Sequence, residues 1–343
     1  MRAAVVAPGS GAVANISLSN VPIKAQADLA PGECLLKMEC TGVCHTDLHA
    51  AQGDWPVPPK TPLIGGHEGV GIVVAIGNNT INSPVKLGDR VGVKWLANSC
   101  LNCESCRKGN EQTCDHAELS GYTVDGTFSE YVVSFVNHVT PIPEGFDSYA
   151  AASILCAGVT VYRAIKNSNT KPGDWIVLPG AGGGLGHLAV QYAKVMGLRP
   201  IAIDTGADKK KLCLSLGAEA FIDFKESKDI VADVKALTEG KGAHSAVVTS
   251  AAASGYTQAV DYLRNGGTLM AVGLPGSAHL EASIFWTVFK SISILGSYVG
   301  NRQDAFEAID IAARGGKLSD LADVYHRMEQ GKIAGRIVLD ITK

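Results

Sequence analysis

The spacing of apolar and polar positions changes character along this chain. Over residues 33–40 it has the two-residue period of a strand. Cys34, Leu36, Met38 and Cys40 share one face, and Glu33, Leu35, Lys37 and Glu39 the other. Residues 70–76 form a β-branched run, and residues 1–7 read as a first strand broken by Pro8-Gly9. Pro- and Gly-rich breaks at Pro31-Gly32, 56–59 and Gly88-Asp89 separate such segments. The first 150 residues therefore predict a loop-rich β domain.

From about Lys171 strand and helix patterns alternate. Short apolar runs at 175–178, 201–203, 221–224, 246–249, 268–272 and 292–295 predict strands, and 185–196 predicts a helix. Alternation of this kind predicts a parallel, doubly wound sheet, so the fold class is α/β. Six strands suit two mononucleotide-binding halves. Residues 301–343 return to mixed helix and strand.

Composition narrows the class. Of 343 residues, 46% are hydrophobic and 18% charged, enough apolar content for two cores and wrong for a disordered chain. A net charge of −3 gives no field that would gather a nucleic acid or an anionic membrane. No run of 18 apolar residues occurs, so no transmembrane helix is expected. The N-terminal apolar run is too short for a signal-peptide core. The expectation is a soluble cytoplasmic protein.

Nine Cys in such a protein point to metal or catalysis before disulfides. Cys100, Cys103, Cys106 and Cys114 follow C-x2-C-x2-C-x7-C, which can close a tetrahedral shell around zinc. Four protein ligands leave no open position, so this site reads as structural. Two further segments, Cys44-His45-Thr46-Asp47-Leu48-His49 and Gly66-His67-Glu68-Gly69, hold metal-ligand residues, as does Cys156. Two thiolates and one imidazole would leave a fourth position for water or alcohol. Spacing alone makes this a weak assembly, since each Cys by itself is more often a small buried hydrophobe. Cys34, Cys40 and Cys213 read as core thiols.

Residues 178–186, Leu-Pro-Gly-Ala-Gly-Gly-Gly-Leu-Gly, follow a predicted strand and open a helix. Gly182, Gly183, Gly184 and Leu185 would bring backbone amides and a helix N-terminus to a pyrophosphate, although the strict G-x-G-x-x-G register is missing. Asp204 ends the next strand, 22 residues past Gly182. A carboxylate there accepts from an adenosine ribose and repels a 2′-phosphate, which favours NAD over NADP.

Residues 66–71, Gly-His-Glu-Gly-Val-Gly, resemble the signature of the zinc-dependent medium-chain alcohol dehydrogenases. Residues 42–55, the four-Cys loop, 154–162 and 290–302 are similar to the tetrameric alcohol dehydrogenases of yeasts and other fungi. The resemblance covers nearly the whole chain. It implies a GroES-like catalytic domain at 1–155, a Rossmann cofactor domain at 156–297 and a return to the catalytic domain at 298–343. It implies two zinc ions per chain: a catalytic one on Cys44, His67 and Cys156, with Glu68 behind as alternative ligand, and a structural one on the four-Cys loop. It assigns Thr46 as first proton acceptor and His49 as the solvent end of a relay through the nicotinamide ribose, with Asp47 orienting His67. Lys209 would join Asp204 at the adenosine ribose. Thr160, Phe224, Val272, Leu274, Ser297 and Val299 would also contact the cofactor, and Arg336 its pyrophosphate. Trp55 and Trp95 would wall a narrow substrate slot. The implied activity is reversible, NAD-dependent oxidation of a small primary or secondary alcohol by a homotetramer. Two other readings are a zinc-free NADPH-dependent reductase of the same superfamily and a non-catalytic zinc protein. Cys44, His67, Cys156 and Asp204 argue against the first, and Thr46 and His49 against the second.

Overall fold

The computed structural model describes residues 1–7, 16–274, 279–314 and 337–342. Two units emerge, one from Met1–Cys156 with Gly300–Ala313 and the closing strand Ile337–Asp340, the other from Ala157–Val299.

The first unit is antiparallel. The strand Glu33–Val43 pairs with Gly69–Ile76, with Tyr131–Phe135 and with Ile337–Asp340. Its alternation delivers Cys34, Leu36 and Met38 to a core with Val73, Val91, Val93 and Val132. Leu35, on the opposite face, is also buried, because it joins a small cluster with Leu29 and Ala75. The N-terminal residues form the strand Arg2–Val6, which pairs with Ile16–Asn20 and Leu63–Ile64. Helix Arg302–Ala313 is capped reciprocally: Asn301 N–H donates to Asp304 and Asp304 N–H to Asn301.

The second unit carries a six-stranded parallel sheet. Its order is Ala220–Asp223, Arg199–Asp204, Trp175–Pro179, Ala243–Val248, Leu263–Ala271, Ser293–Gly296. The order reverses direction beside Trp175–Pro179, and ligands of such sheets bind where that happens. All five residues of that central strand are buried.

The helical run Ser148–Lys166 is long and apolar enough by composition to cross a membrane, yet 72% of its window is buried inside the protein. Core packing accounts for its hydropathy. A π turn, Ile154–Gly158, interrupts it.

Candidate active site

The first unit brings together Cys44, His67, Glu68 and Cys156, whose donor atoms all lie within 4.8 Å of one another. Local structure aims each of them. Cys44 leaves the strand Glu33–Val43 in extended backbone and caps helix His45–Gln52. Its N–H donates to Asp47 Oδ2 at 2.8 Å. The other oxygen, Asp47 Oδ1, faces His67 Nδ1 at 2.9 Å. A carboxylate only accepts, so Nδ1 carries the hydrogen and Nε2 keeps its lone pair for a cation. That Nε2 lies 3.2 Å from Cys156 Sγ and 3.8 Å from Glu68 Oε1. The Cys44 and Cys156 sulfurs are 3.9 Å apart. Cys156 stands on the π turn, a distortion frequent at functional sites. Glu68 is fully buried, and it fits only because its neighbour is glycine: a Cβ at Gly42 would meet Glu68 Oε2 at 2.1 Å.

This donor set suits a metal dication. Burial works against charge on His67, but the Asp47 carboxylate and the Cys44 sulfur outweigh it and lift the imidazole to about 9. The Cys156 thiol is pushed well above the usual range by its bond to Cys44, by burial and by the charges of Cys44 and Asp47. A pocket that favours positive charge and crowds two sulfurs beside a carboxylate is balanced by zinc.

The four-Cys loop also converges. Cys100 Sγ lies 3.9 Å from Cys106 Sγ and 3.5 Å from Cys114 Sγ. Backbone N–H groups of Cys103 and His116 donate to Cys100 and Cys114 sulfurs, both at 3.3 Å. Backbone donors at Asn102 and Cys103 draw the Cys100 thiol down to about 6, towards the thiolate a metal requires.

Trp95 meets the His67 ring edge-on at 5.0 Å and Trp55 at 6.2 Å. Tyr122, which the sequence did not single out, touches both indoles and bonds through its hydroxyl to Val57 O. Thr46 and His49 lie on helix His45–Gln52, and His49 pairs with Asp54.

In the second unit the turn after Trp175–Pro179 leads into helix Gly186–Val195. A Cβ at Gly186 would lie 2.1 Å from Gly180 O, so this glycine provides the close packing expected one residue earlier in the strict motif. Asp204 Oδ2 accepts from Gly182 N at 2.9 Å, and Oδ1 accepts from Thr205 N and Lys209 Nζ, both at 2.8 Å. A cavity of about 610 Å³ is lined here by Gly180, Gly183, Asp204, Lys209, Phe224 and Thr249, among others. Gly184, Leu185, Thr160, Val272, Leu274, Ser297 and Val299 do not line it. Arg336 lies outside the described residues.

Residues 30–144 match the family described as the alcohol dehydrogenase GroES-like domain, and 184–314 match the zinc-binding dehydrogenase family. An alcohol dehydrogenase of Schizosaccharomyces pombe is 51% identical over 341 residues, covering 97% of this chain and 96% of the relative. The chain belongs to the zinc-binding alcohol dehydrogenase family. Alcohol dehydrogenase 1 of Emericella nidulans is 50% identical over 320 residues, with 91% of each protein covered. Among solved structures, an alcohol dehydrogenase from Aeropyrum pernix aligns with a TM-score of 0.83 at 29% identity, over 99% of this chain and 100% of the other. As a zinc-binding alcohol dehydrogenase the chain has both donor sets such a protein needs.

Sequence reasoning missed Asp54, Tyr122 and a buried pair behind the zinc loop. Lys94 Nζ donates to His138 O, and His138 Nε2 lies 2.9 Å from Ser99 Oγ. Only Asp54 left a usable signal, a carboxylate straight after the glycine that ends a helix.

Proposed function

We propose that this chain oxidises small alcohols to aldehydes or ketones, reversibly, with NAD as hydride acceptor. The observation that carries the reading is the convergence of Cys44, His67, Cys156 and Glu68, with Asp47 fixing the imidazole and Trp95 against its edge. Cys44, His67 and Cys156 would hold zinc, which would supply a Lewis acid at the alcohol oxygen, and a bound NAD would supply the hydride acceptor. Asp47 keeps His67 Nε2 presented, and Glu68 stands by as alternative donor. The Thr46 hydroxyl accepts the alcohol proton. His49, three residues on along the same helix, releases it to solvent. Trp55, Trp95 and the bracing Tyr122 make a narrow, dry wall that suits short primary alcohols. Asp204 and Lys209 select NAD at the adenosine ribose, with Phe224 beside them. Gly182, Gly183, Gly184 and Leu185 present the pyrophosphate to a helix N-terminus, helped by Arg336. Thr160, Val272, Leu274, Ser297 and Val299 serve the nicotinamide end.

We also infer a homotetramer in the cytoplasm. Helix Ile284–Phe289 turns Ile284, Phe285, Trp286, Val288 and Phe289 to solvent, beside the exposed edge strand Ser293–Gly296. Faces like this are covered in working proteins. All nine cysteines are free, which suits a reducing compartment.

The test is NADH absorbance across primary and secondary alcohols, beside metal quantification. The expected result is about two zinc per chain, turnover with ethanol and a strong preference for NAD. Absence of zinc, or equal use of NADP, would overturn the reading.

A further inference from the structure

Helix His45–Gln52 ends at Gly53, whose left-handed backbone (φ 64, ψ 30) lets its N–H bond back to His49 O. The reversal returns the chain upon the helix. The next residue, Asp54, meets the ring five residues behind it, with Oδ1 and Oδ2 at 2.9 and 3.0 Å from His49 Nδ1. Trp55 then stacks on the same imidazole at 5.3 Å and 24° between planes. His45 touches its edge at 5.1 Å. The ring is thus held in its plane by a carboxylate and on its face by an indole.

The pair is too exposed, at 26% and 46%, to matter much for folding. Its chemistry is more specific. A carboxylate has no hydrogen to give, so Nδ1 must be the protonated nitrogen and Nε2 the basic one.

We propose that Asp54 is a positioning residue for His49: it fixes the Nδ1–H tautomer and leaves Nε2 to take the proton released in alcohol oxidation. This rests on the reading of His49 as the solvent end of the relay. The alcohol proton arrives on Nε2 and makes an imidazolium, while the Nδ1–H bond to Asp54 stays intact. Nε2 then gives that proton to water, and the original tautomer is restored. The carboxylate itself neither gains nor loses a proton.

The experiment compares D54N, D54E, H49Q, the D54N/H49Q double variant and the parent in ethanol oxidation near neutral pH, with zinc content checked for each. An Asn amide can turn either its oxygen or its NH₂ towards the ring, so D54N no longer dictates the tautomer. D54N should lower kcat roughly 10-fold, with KM for NAD and zinc content near parental. D54E should recover most of the loss. The double variant should be no slower than H49Q, and free imidazole should speed the slow variants but not the parent. A D54N enzyme with parental kcat beside a slow H49Q enzyme would overturn the role of Asp54 and keep that of His49. Full additivity in the double variant would also overturn it, because Asp54 would then act through something else. Parental turnover in H49Q would remove the relay reading itself, and the proposal with it.

Discussion

Asp47 binds two things with one carboxylate, the backbone of Cys44 and the ring of His67. Asp47→Asn keeps the shape but loses the enforced tautomer, so zinc affinity should fall about 10–100-fold. Competition with a chelator measures this, and unchanged affinity would count against the role. Cys44→Ser removes a soft ligand outright and should cut turnover at least about 100-fold, a loss set by the missing Lewis acid. Lys94 makes a different kind of prediction. Burial, reinforced by the charge of Arg302 and opposed by Glu111, lowers its ammonium to about 7. An unfolded lysine titrates near ~10.4. Between those values the unfolded chain holds the extra proton, so stability rises with pH there. Below about pH 7 both states are charged, and the cost of the buried charge is present in full. Lys94→Met should therefore flatten the rise of Tm between about pH 7 and 10. Parallel slopes for variant and parent would contradict it. The zinc ligands were legible as residues because metal chemistry accepts few side-chain types. Tyr122 and Lys94 were not, because their roles depend on partners that only folding supplies: Lys94 meets His138, and Tyr122 meets Val57, across long stretches of chain.

Among the elements, the zinc loop and the glycine turn are the two that local sequence predicts best. The four-Cys loop has two short helical turns, Glu104–Arg107 and Glu111–Thr113, and a left-handed residue, Leu101. It has little apolar packing of its own, and a metal would add to the polar ties that Arg302 makes to Glu111 and Asn301 to Gly109 O. Cys103→Ala should lower Tm and zinc content more than it alters the chemical step, and an unchanged Tm with full zinc would sink that. In the second unit Asp204 gathers Gly182, Thr205 and Lys209 around one carboxylate. Asp204→Gly removes all three bonds and the repulsion of a 2′-phosphate. KM for NAD should rise, and the NAD-to-NADP ratio of kcat/KM should narrow. The inner strands Trp175–Pro179 and Ala243–Val248 were readable as apolar runs because both of their faces are covered. Strand ends were less so: Leu263–Ala271 begins earlier than its apolar stretch, because Leu263 pairs with Ala243 and the ladder then skips to Thr268 opposite Ser245. The strict glycine register is missing from the sequence, and Gly186 takes the packing role one residue later.

At the scale of the molecule, the exposed helix Ile284–Phe289 is the feature least at ease in a monomer. Ile284 is 82% and Val288 72% exposed, and Phe285 stacks on Phe289 with Trp286 edge-on to both rings. If this face joins copies of the chain as proposed, Val288→Glu should shift light-scattering mass to smaller species, and an unchanged mass would remove the face from that role. The sequence could not show it, because apolar residues in a short helix look the same whether a core or a second copy covers them.

The strand Ile337–Asp340 lies against Glu33–Val43, pairing Asp340 with Cys40. That register has a bearing on biosynthesis. The second unit takes most of its residues from one continuous stretch, Ala157–Val299. The sheet that carries Cys44 must wait for the distant strand. Its edge stays open through the rest of translation, a long-range pairing of the kind that forms slowly and invites wrong partners meanwhile. The metal-binding half is therefore sealed only once that distant strand has arrived.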